Sequence, residues 1–204
     1  TGGGLVGNFA KALDVAGHEL THGVISYTSN LEYKNQSGAL NESFADVFGT
    51  MIERKNWVMG EDLDAPAYLK SSFERNMAQP WLQGNPGHMD DFRRKSESDD
   101  NGGVHTNSGI PNRAFYLLAE GLSKENKGQS LGLEKAEQLA YQTMIGLTGN
   151  DRFIHAAIKM IQVAESLYGT NSVEVSAVKA AWSEVGVYEE QIAEDTNETI
   201  IEPE

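Results

Sequence analysis

Cysteine is missing from all 204 residues, which excludes disulfide bonds and thiolate metal sites and leaves the redox compartment open. Basic side chains are scarce: 16 Lys and Arg stand against 30 Asp and Glu, for a net charge of -14. With no basic stripe to neutralise phosphates, a nucleic-acid partner is excluded. The same excess favours solubility and offers carboxylates to cations. No uninterrupted apolar run is long enough to span a bilayer, so no membrane partner is expected. No signal peptide or transit sequence is visible. Thr1-Gly2-Gly3-Gly4 reads as a loop, so an address could have been removed upstream. The apolar content of 39% fits a globular protein with one good core or two small ones.

Against these absences stands one pentapeptide, His18-Glu19-Leu20-Thr21-His22. It lies in a stretch, residues 8–26, that reads as a helix with Asn8 as N-cap and Leu13, Ala16, Leu20 and Val24 as its apolar stripe. Residues four apart on a helix share a face, so the two imidazoles project side by side. This is the H-E-x-x-H pattern, in which the histidines hold zinc and the glutamate works on water. Gly17 costs about 1 kcal/mol relative to alanine inside a helix; a close backbone approach would explain it.

A catalytic zinc takes three protein ligands and keeps one position for water. The best candidate for the third is Glu42, in Gly38-Ala39-Leu40-Asn41-Glu42, twenty positions beyond His22. It belongs to a second helix, 37–55, with apolar positions Leu40, Phe44, Val47, Phe48 and Met51. An apolar helix has little use for an unpaired buried carboxylate. Asp46, one turn on, can accept the N–H of a metal-bound imidazole and fix its tautomer. Taken alone, Glu42 and Asp46 would read as a solvated helix face; beside H-E-x-x-H the metal reading prevails.

Residues 56–103 lose periodicity and read as long loops with one short helix. Helices follow at 107–121, 132–147, 151–168 and 173–185, with Asp151 as an N-cap and Gly169 as a stop. Residues 189–204 carry seven acidic and no basic side chains, the composition of a solvated tail. There is no internal repeat. The chain is expected to be mainly α with long loops, a helical unit over 1–188 followed by the acidic tail.

Three separated motifs resemble the thermolysin-like neutral metallopeptidases, in the style of the protealysin-like branch. They are Asp14 to His22, Tyr33 to Gly49, and Asp100-Asn101-Gly102-Gly103-Val104-His105-Thr106-Asn107-Ser108-Gly109. The closing Ser176-Ala177-Val178 to Val185-Gly186-Val187 also fits. The resemblance covers nearly the whole chain except the tail. It implies the helical C-terminal domain of such a peptidase, with the sheet-rich N-terminal domain absent from this chain. By that resemblance His18, His22 and Glu42 are the zinc ligands and Glu19 the general base. Tyr33 and His105 hydrogen-bond the tetrahedral oxyanion, Asp100 orients His105, and Arg75 grips a substrate carbonyl. Asp14, Glu53 and Glu61 match acidic calcium ligands. Asn56 and Val58 replace two others of that cluster, which implies one calcium or none. Glu74 stands where the family lines its primed-side pocket with an apolar residue, and Val15 would supply part of that wall. His88 and His155 match no motif and read as structural or surface residues.

The activity implied is zinc-dependent cleavage of internal peptide bonds, with a peptide or protein as substrate and the chain's own N-terminal domain or propeptide as partner. Secretion is the family habit; a cytoplasmic place is the alternative. A rival reading is a zinc-binding fragment or interaction module with little turnover, because one wall of the cleft is missing. Helix faces that meet that wall would then be apolar and exposed.

Overall fold

The computed structural model describes residues 12–63, 74–121 and 129–187, so Asn8 and the acidic tail lie outside the described residues. The architecture is helical, as expected. Helix α1 spans Leu13–Tyr27 and α2 Asn35–Glu53. A two-stranded antiparallel ribbon follows, β1 (Val58–Met59) paired with β2 (Arg75–Asn76). Two 3-10 turns, Pro80–Gln83 and Met89–Asp91, lead to α3 (Asp100–Asn107) and α4 (Gly109–Glu120). The remaining helices are α5 (Gly132–Gly146), α6 (Phe153–Tyr168) and α7 (Val173–Glu184).

Helix α2 is the central rod, packed on α1, α3, α4, α5 and α6. Leu40, Phe44, Val47 and Met51 recur at helical spacing and enter one large apolar core with residues of α4 to α7. Its other faces are buried too, and they carry Asn41, Glu42, Ser43, Asp46 and Thr50. Polar groups at the centre of a fold must find partners: Asn41 and Asp46 meet His22 and His18 of α1, and Thr50 donates to Met77 Sδ at 3.2 Å. Arg54, in the left-handed conformation, ends the helix by donating its N–H to the Thr50 carbonyl.

Helix α1 buries a different face from the one its apolar stripe marks. Its buried residues are Asp14, Val15, Gly17, His18, Thr21 and Ile25, whereas Leu13, Leu20 and Val24 of the expected stripe point outwards. The buried face is a close crossing with α2. A Cβ on Gly17 would lie 2.8 Å from Ile52 Cδ1 and 3.1 Å from Gly49 Cα, which is the close approach that explains this glycine. Gly49 is as constrained, because a Cβ there would strike the Asp14 carbonyl oxygen.

Three expectations need correction. The 56–103 region contains the β1–β2 ribbon, whose strands are too short to show alternation. Helical structure begins before 107. Asp100, Asn101, Gly102 and Gly103 form a left-handed turn with φ of 55°, 46°, 82° and 89°, and a right-handed turn then runs to Asn107. Asp151 does not cap α6. Its carboxylate accepts from Thr148 N at 2.6 Å and closes the preceding turn, while His155 Nδ1 accepts from Arg152 N at 2.8 Å. Gly169 does end α6, and Ser172 caps α7 by accepting from Val175 N at 3.2 Å.

Candidate metal centre

The α1–α2 crossing brings His18, His22 and Glu42 together, with one ligand atom of each within 4.8 Å of the others. The two Nε2 atoms are 2.9 Å apart. Glu42 Oε2 lies 3.5 Å from His18 Nε2, and Oε1 lies 3.4 Å from His22 Nε2. Both imidazoles are held from behind. His18 Nδ1 is 2.8 Å from Asp46 Oδ1, and His22 Nδ1 is 2.7 Å from Asn41 Oδ1. Asn41 Nδ2 donates to the Leu31 carbonyl at 3.1 Å, which fixes the amide so that its oxygen faces His22.

These partners test whether a metal fits. With Nδ1–H on each ring directed at an acceptor, each Nε2 presents a lone pair. The two lone pairs face each other and a carboxylate whose buried Oε2 has no hydrogen-bond partner. Such a centre needs a cation. Burial pushes the Glu42 carboxyl up, but His22, Arg75 and the other imidazoles outweigh it and hold it below the ordinary range. For His22, burial lowers the pKa, while Glu42 and Asn41 raise it further, so it ends above its ordinary value. The pull that favours a proton there also favours a metal ion, and the two compete. Two imidazoles and one carboxylate are a donor set that suits zinc, and the residues fit the ion.

Around the centre opens a cleft of about 490 Å³ whose lining includes His18, Glu19, His22, Tyr33, Glu42 and His105. Glu19 is exposed on α1, one residue past the first ligand. The Tyr33 hydroxyl donates to Glu42 Oε1 and sits 3.1 Å from His105 Nε2. Burial, then the Glu42 carboxylate, pushes the Tyr33 phenol well above its ordinary pKa, so it stays a donor. The left-handed turn at 100–103 folds Asp100 back onto the residues after it. Its carboxylate lies 2.6 Å from His105 Nδ1 and accepts from Thr106 N at 3.1 Å and Thr106 Oγ1 at 2.9 Å.

Arg75 is buried, which excludes a surface arginine. Its Nε donates to both oxygens of Asp46 at 2.8 and 2.7 Å, and its Nη2 lies 3.5 Å from His18 Nδ1. Burial pushes the Asp46 carboxyl up, but Arg75 and His18 outweigh it and leave it well below its ordinary value. Asn112 Nδ2 donates to Asp46 Oδ2 at 2.8 Å. Asn41 and Asn112 escaped the sequence reading. Asn41 had a signal, its place directly before the third ligand; Asn112, sixty-six positions from Asp46, had none.

A second acidic group gathers Asp14, Glu53 and Glu61, also within 4.8 Å of one another. Asp14 already accepts from Val15 N at 2.7 Å and Gly60 N at 2.5 Å, and Glu61 Oε1 is 3.2 Å from Lys55 Nζ. Glu61 Oε2 is buried without a partner, and burial with the neighbouring Asp14 and Glu61 raises the Glu53 pKa. Oxygen donors from three segments suit one calcium, with a lysine already taking part of the charge. His88 and His155 serve as local structure: each Nδ1 accepts a backbone N–H, from Asp90 at 3.1 Å and from Arg152 at 2.8 Å.

A helical rod carrying two imidazoles, crossed by a second rod carrying a carboxylate, is an arrangement the chain shares with a described family. Residues 29–187 match the model of the thermolysin metallopeptidase α-helical domain. The chain belongs to the thermolysin-like zinc metallopeptidases. It is 40% identical over 187 residues to a thermostable neutral protease of Geobacillus stearothermophilus, covering 88% of this chain and 34% of that protein. It is 44% identical over 177 residues to an extracellular elastase of Staphylococcus epidermidis, covering 86% and 32%. The precursor of protealysin, a metalloproteinase from Serratia proteamaculans, has a similar structure: TM-score 0.73, 35% identity, 89% of this chain and 59% of that one. The chain thus spans about a third of the length of these curated relatives.

Proposed function

We propose that this chain is the zinc-binding half of an endopeptidase that hydrolyses internal peptide bonds. One observation carries the reading: three electron-pair donors on two crossing helices converge, each imidazole braced by an acceptor on its far nitrogen. His18, His22 and Glu42 hold zinc, with Asp46 and Asn41 orienting the imidazoles. When bound, zinc supplies Lewis acidity and lowers the pKa of water on it to about 7. Glu19 takes a proton from the attacking water and passes it to the leaving amine. Tyr33 and His105 donate to the substrate oxygen, where charge appears only in the transition state. Asp100 fixes the His105 ring by its Nδ1 and thereby aims Nε2 into the cleft. Arg75, steadied by Asp46, grips a substrate backbone carbonyl. One calcium at Asp14, Glu53 and Glu61 would tie the β1 region to α1 and α2. The helical unit ends before the acidic tail of 189–204, and secretion follows the extracellular relatives.

The test is chelator-sensitive cleavage of casein or a quenched peptide, read together with zinc content. Glu19→Gln should keep stoichiometric zinc and lose turnover, because the ligands are intact and the base is gone. Retained turnover in that variant contradicts the mechanism. The rival, a zinc-binding fragment without turnover, draws support from the exposed α1 stripe. It predicts zinc without cleavage in this chain, whether or not Glu19 is present.

A further inference from the structure

Tyr33 is carried by the segment Ser29–Lys34, between α1 and α2, and this segment is tied to a distant loop. Glu32 N donates to the Gly149 carbonyl at 2.8 Å. One end of the Asn150 carboxamide lies 2.9 Å from Glu32 Oε1 and 3.2 Å from Oε2; since both of these oxygens only accept, that end is assigned as the nitrogen, which donates to them. On its other side the Glu32 carboxylate meets Lys34 Nζ at 2.9 Å. The Glu32 carbonyl accepts from Ser37 Oγ at 2.8 Å and Lys34 N at 2.8 Å. Glu32 is thus held at its N–H, its carbonyl and its carboxylate, directly before Tyr33.

The loop that reaches across is itself stiff. Asp151 and Thr148 exchange two hydrogen bonds, of 2.6 and 3.1 Å, around Gly149 and Asn150. A Cβ on Gly149 would lie 3.2 Å from the Asn30 carbonyl oxygen, so the two loops meet backbone to backbone. Next to this contact, Phe153 N at the start of α6 donates to Gln36 Oε1 in α2 at 3.1 Å. Behind the segment, the Leu31 carbonyl accepts from Asn41, the residue that orients His22. Tyr33 therefore reaches Glu42 and His105 from a strap clamped at both edges.

We propose that Asn150 is a positioning residue for Tyr33, acting through the Glu32 carboxylate. This rests on the reading of Tyr33 as an oxyanion donor. A hydroxyl on a six-residue strap can serve only if the strap is held to within a fraction of an ångström. Asn150 supplies a neutral donor where Asp151, one residue on, would offer only acceptors. A carboxylate at 150 would repel Glu32 instead of binding it.

The test uses the full-length protein loaded with zinc, in the native form and as Asn150→Ala, Asn150→Asp, Tyr33→Phe and the two double variants. The probe is a phosphonamidate peptide, whose anionic tetrahedral phosphorus stands in for the oxyanion. Asn150→Ala should weaken its binding about 10-fold, and Asn150→Asp more, the range of a donor displaced by less than an ångström. Zinc content should not change. In the Tyr33→Phe background neither substitution should have a further effect, which a general loss of structure would not spare. Hydrogen exchange at the Glu32 amide should quicken in both single variants. Equal loss of binding in both backgrounds, or native binding and exchange in Asn150→Asp, overturns the proposal. If Tyr33→Phe alone binds the probe as tightly as the native protein, the oxyanion reading of Tyr33 fails, and exchange at Glu32 then decides the clamp by itself.

Discussion

Asn41 shows how a neutral side chain can set the chemistry of a charged centre. It receives the Nδ1–H of His22 and spends its own donor on the Leu31 carbonyl, so neither amide atom can swap roles. Asn41→Ala should lower zinc affinity by about 10- to 100-fold, the usual value of a partner behind a metal-bound imidazole. Competition with a chelator of known affinity measures it, and unchanged affinity removes Asn41 from the centre. Asp100 offers a pH prediction. Burial raises its pKa, but the bonds to His105 and Thr106 outweigh this and leave it below the ordinary value. A depressed carboxylate contributes stability that is present above its unfolded pKa of about 3.9 and lost as pH falls through the folded value. Asp100→Asn should therefore flatten the stability-versus-pH curve below about pH 4 and leave its shape near neutrality alone. Urea midpoints at pH 3 to 7 read this directly, and an unaltered acid limb would deny Asp100 the clasp.

The crossing of α1 and α2 turns two glycines into opposite predictions. Gly49 has the Asp14 carbonyl oxygen against it and the His18 nitrogen 3.2 Å from any added Cβ, whereas Gly23 has nothing within 4 Å. Alanine in a helix interior gains about 1 kcal/mol over glycine. At Gly23 that gain should appear in full; at Gly49 it meets an overpacking cost of about 1–3 kcal/mol. Gly49→Ala should thus unfold at lower urea and bind zinc more weakly, and Gly23→Ala should unfold at higher urea. Equal shifts in both would mean that the helices are not in backbone contact. The same crossing shows what a sequence reveals. The two ligand-bearing helices were legible from the His18–His22 spacing in α1 and from the apolar period of α2. The β1–β2 ribbon was not, since two residues per strand carry no period. The turn at Asp100–Gly103 was half legible: glycines announce a positive φ at two positions, but Asp100 and Asn101 adopt it only because the Asp100 carboxylate folds back on Thr106. The Asp151 cap failed for a similar reason, since a nearer turn competes for the carboxylate. Asn112 and Asn150 act across the fold, and no local pattern marks them.

The apolar stripe of α1 is exposed, as the expectation of apolar, uncovered helix faces has it, and this describes the molecule as a whole. Period alone states that one helix face seeks an apolar surface; it does not state that the surface belongs to the same chain. Leu20 is 71% exposed and Tyr27 95%, with Leu13 and Val24 beside them on the face turned away from α2. Among the described residues the main core takes only Ile25 from α1, so the stripe finds no apolar cover there. Contiguous apolar surface of this kind either meets a partner or makes the chain associate with itself. In isolation the chain should therefore bind an apolar dye and sediment as mixed oligomers at micromolar concentration. Leu20→Ser with Tyr27→Ser should restore a single monomeric boundary in sedimentation velocity while zinc content stays the same, because both side chains point away from the ligands. If the unaltered chain sediments as a monomer and takes up no dye, the stripe is ordinary surface.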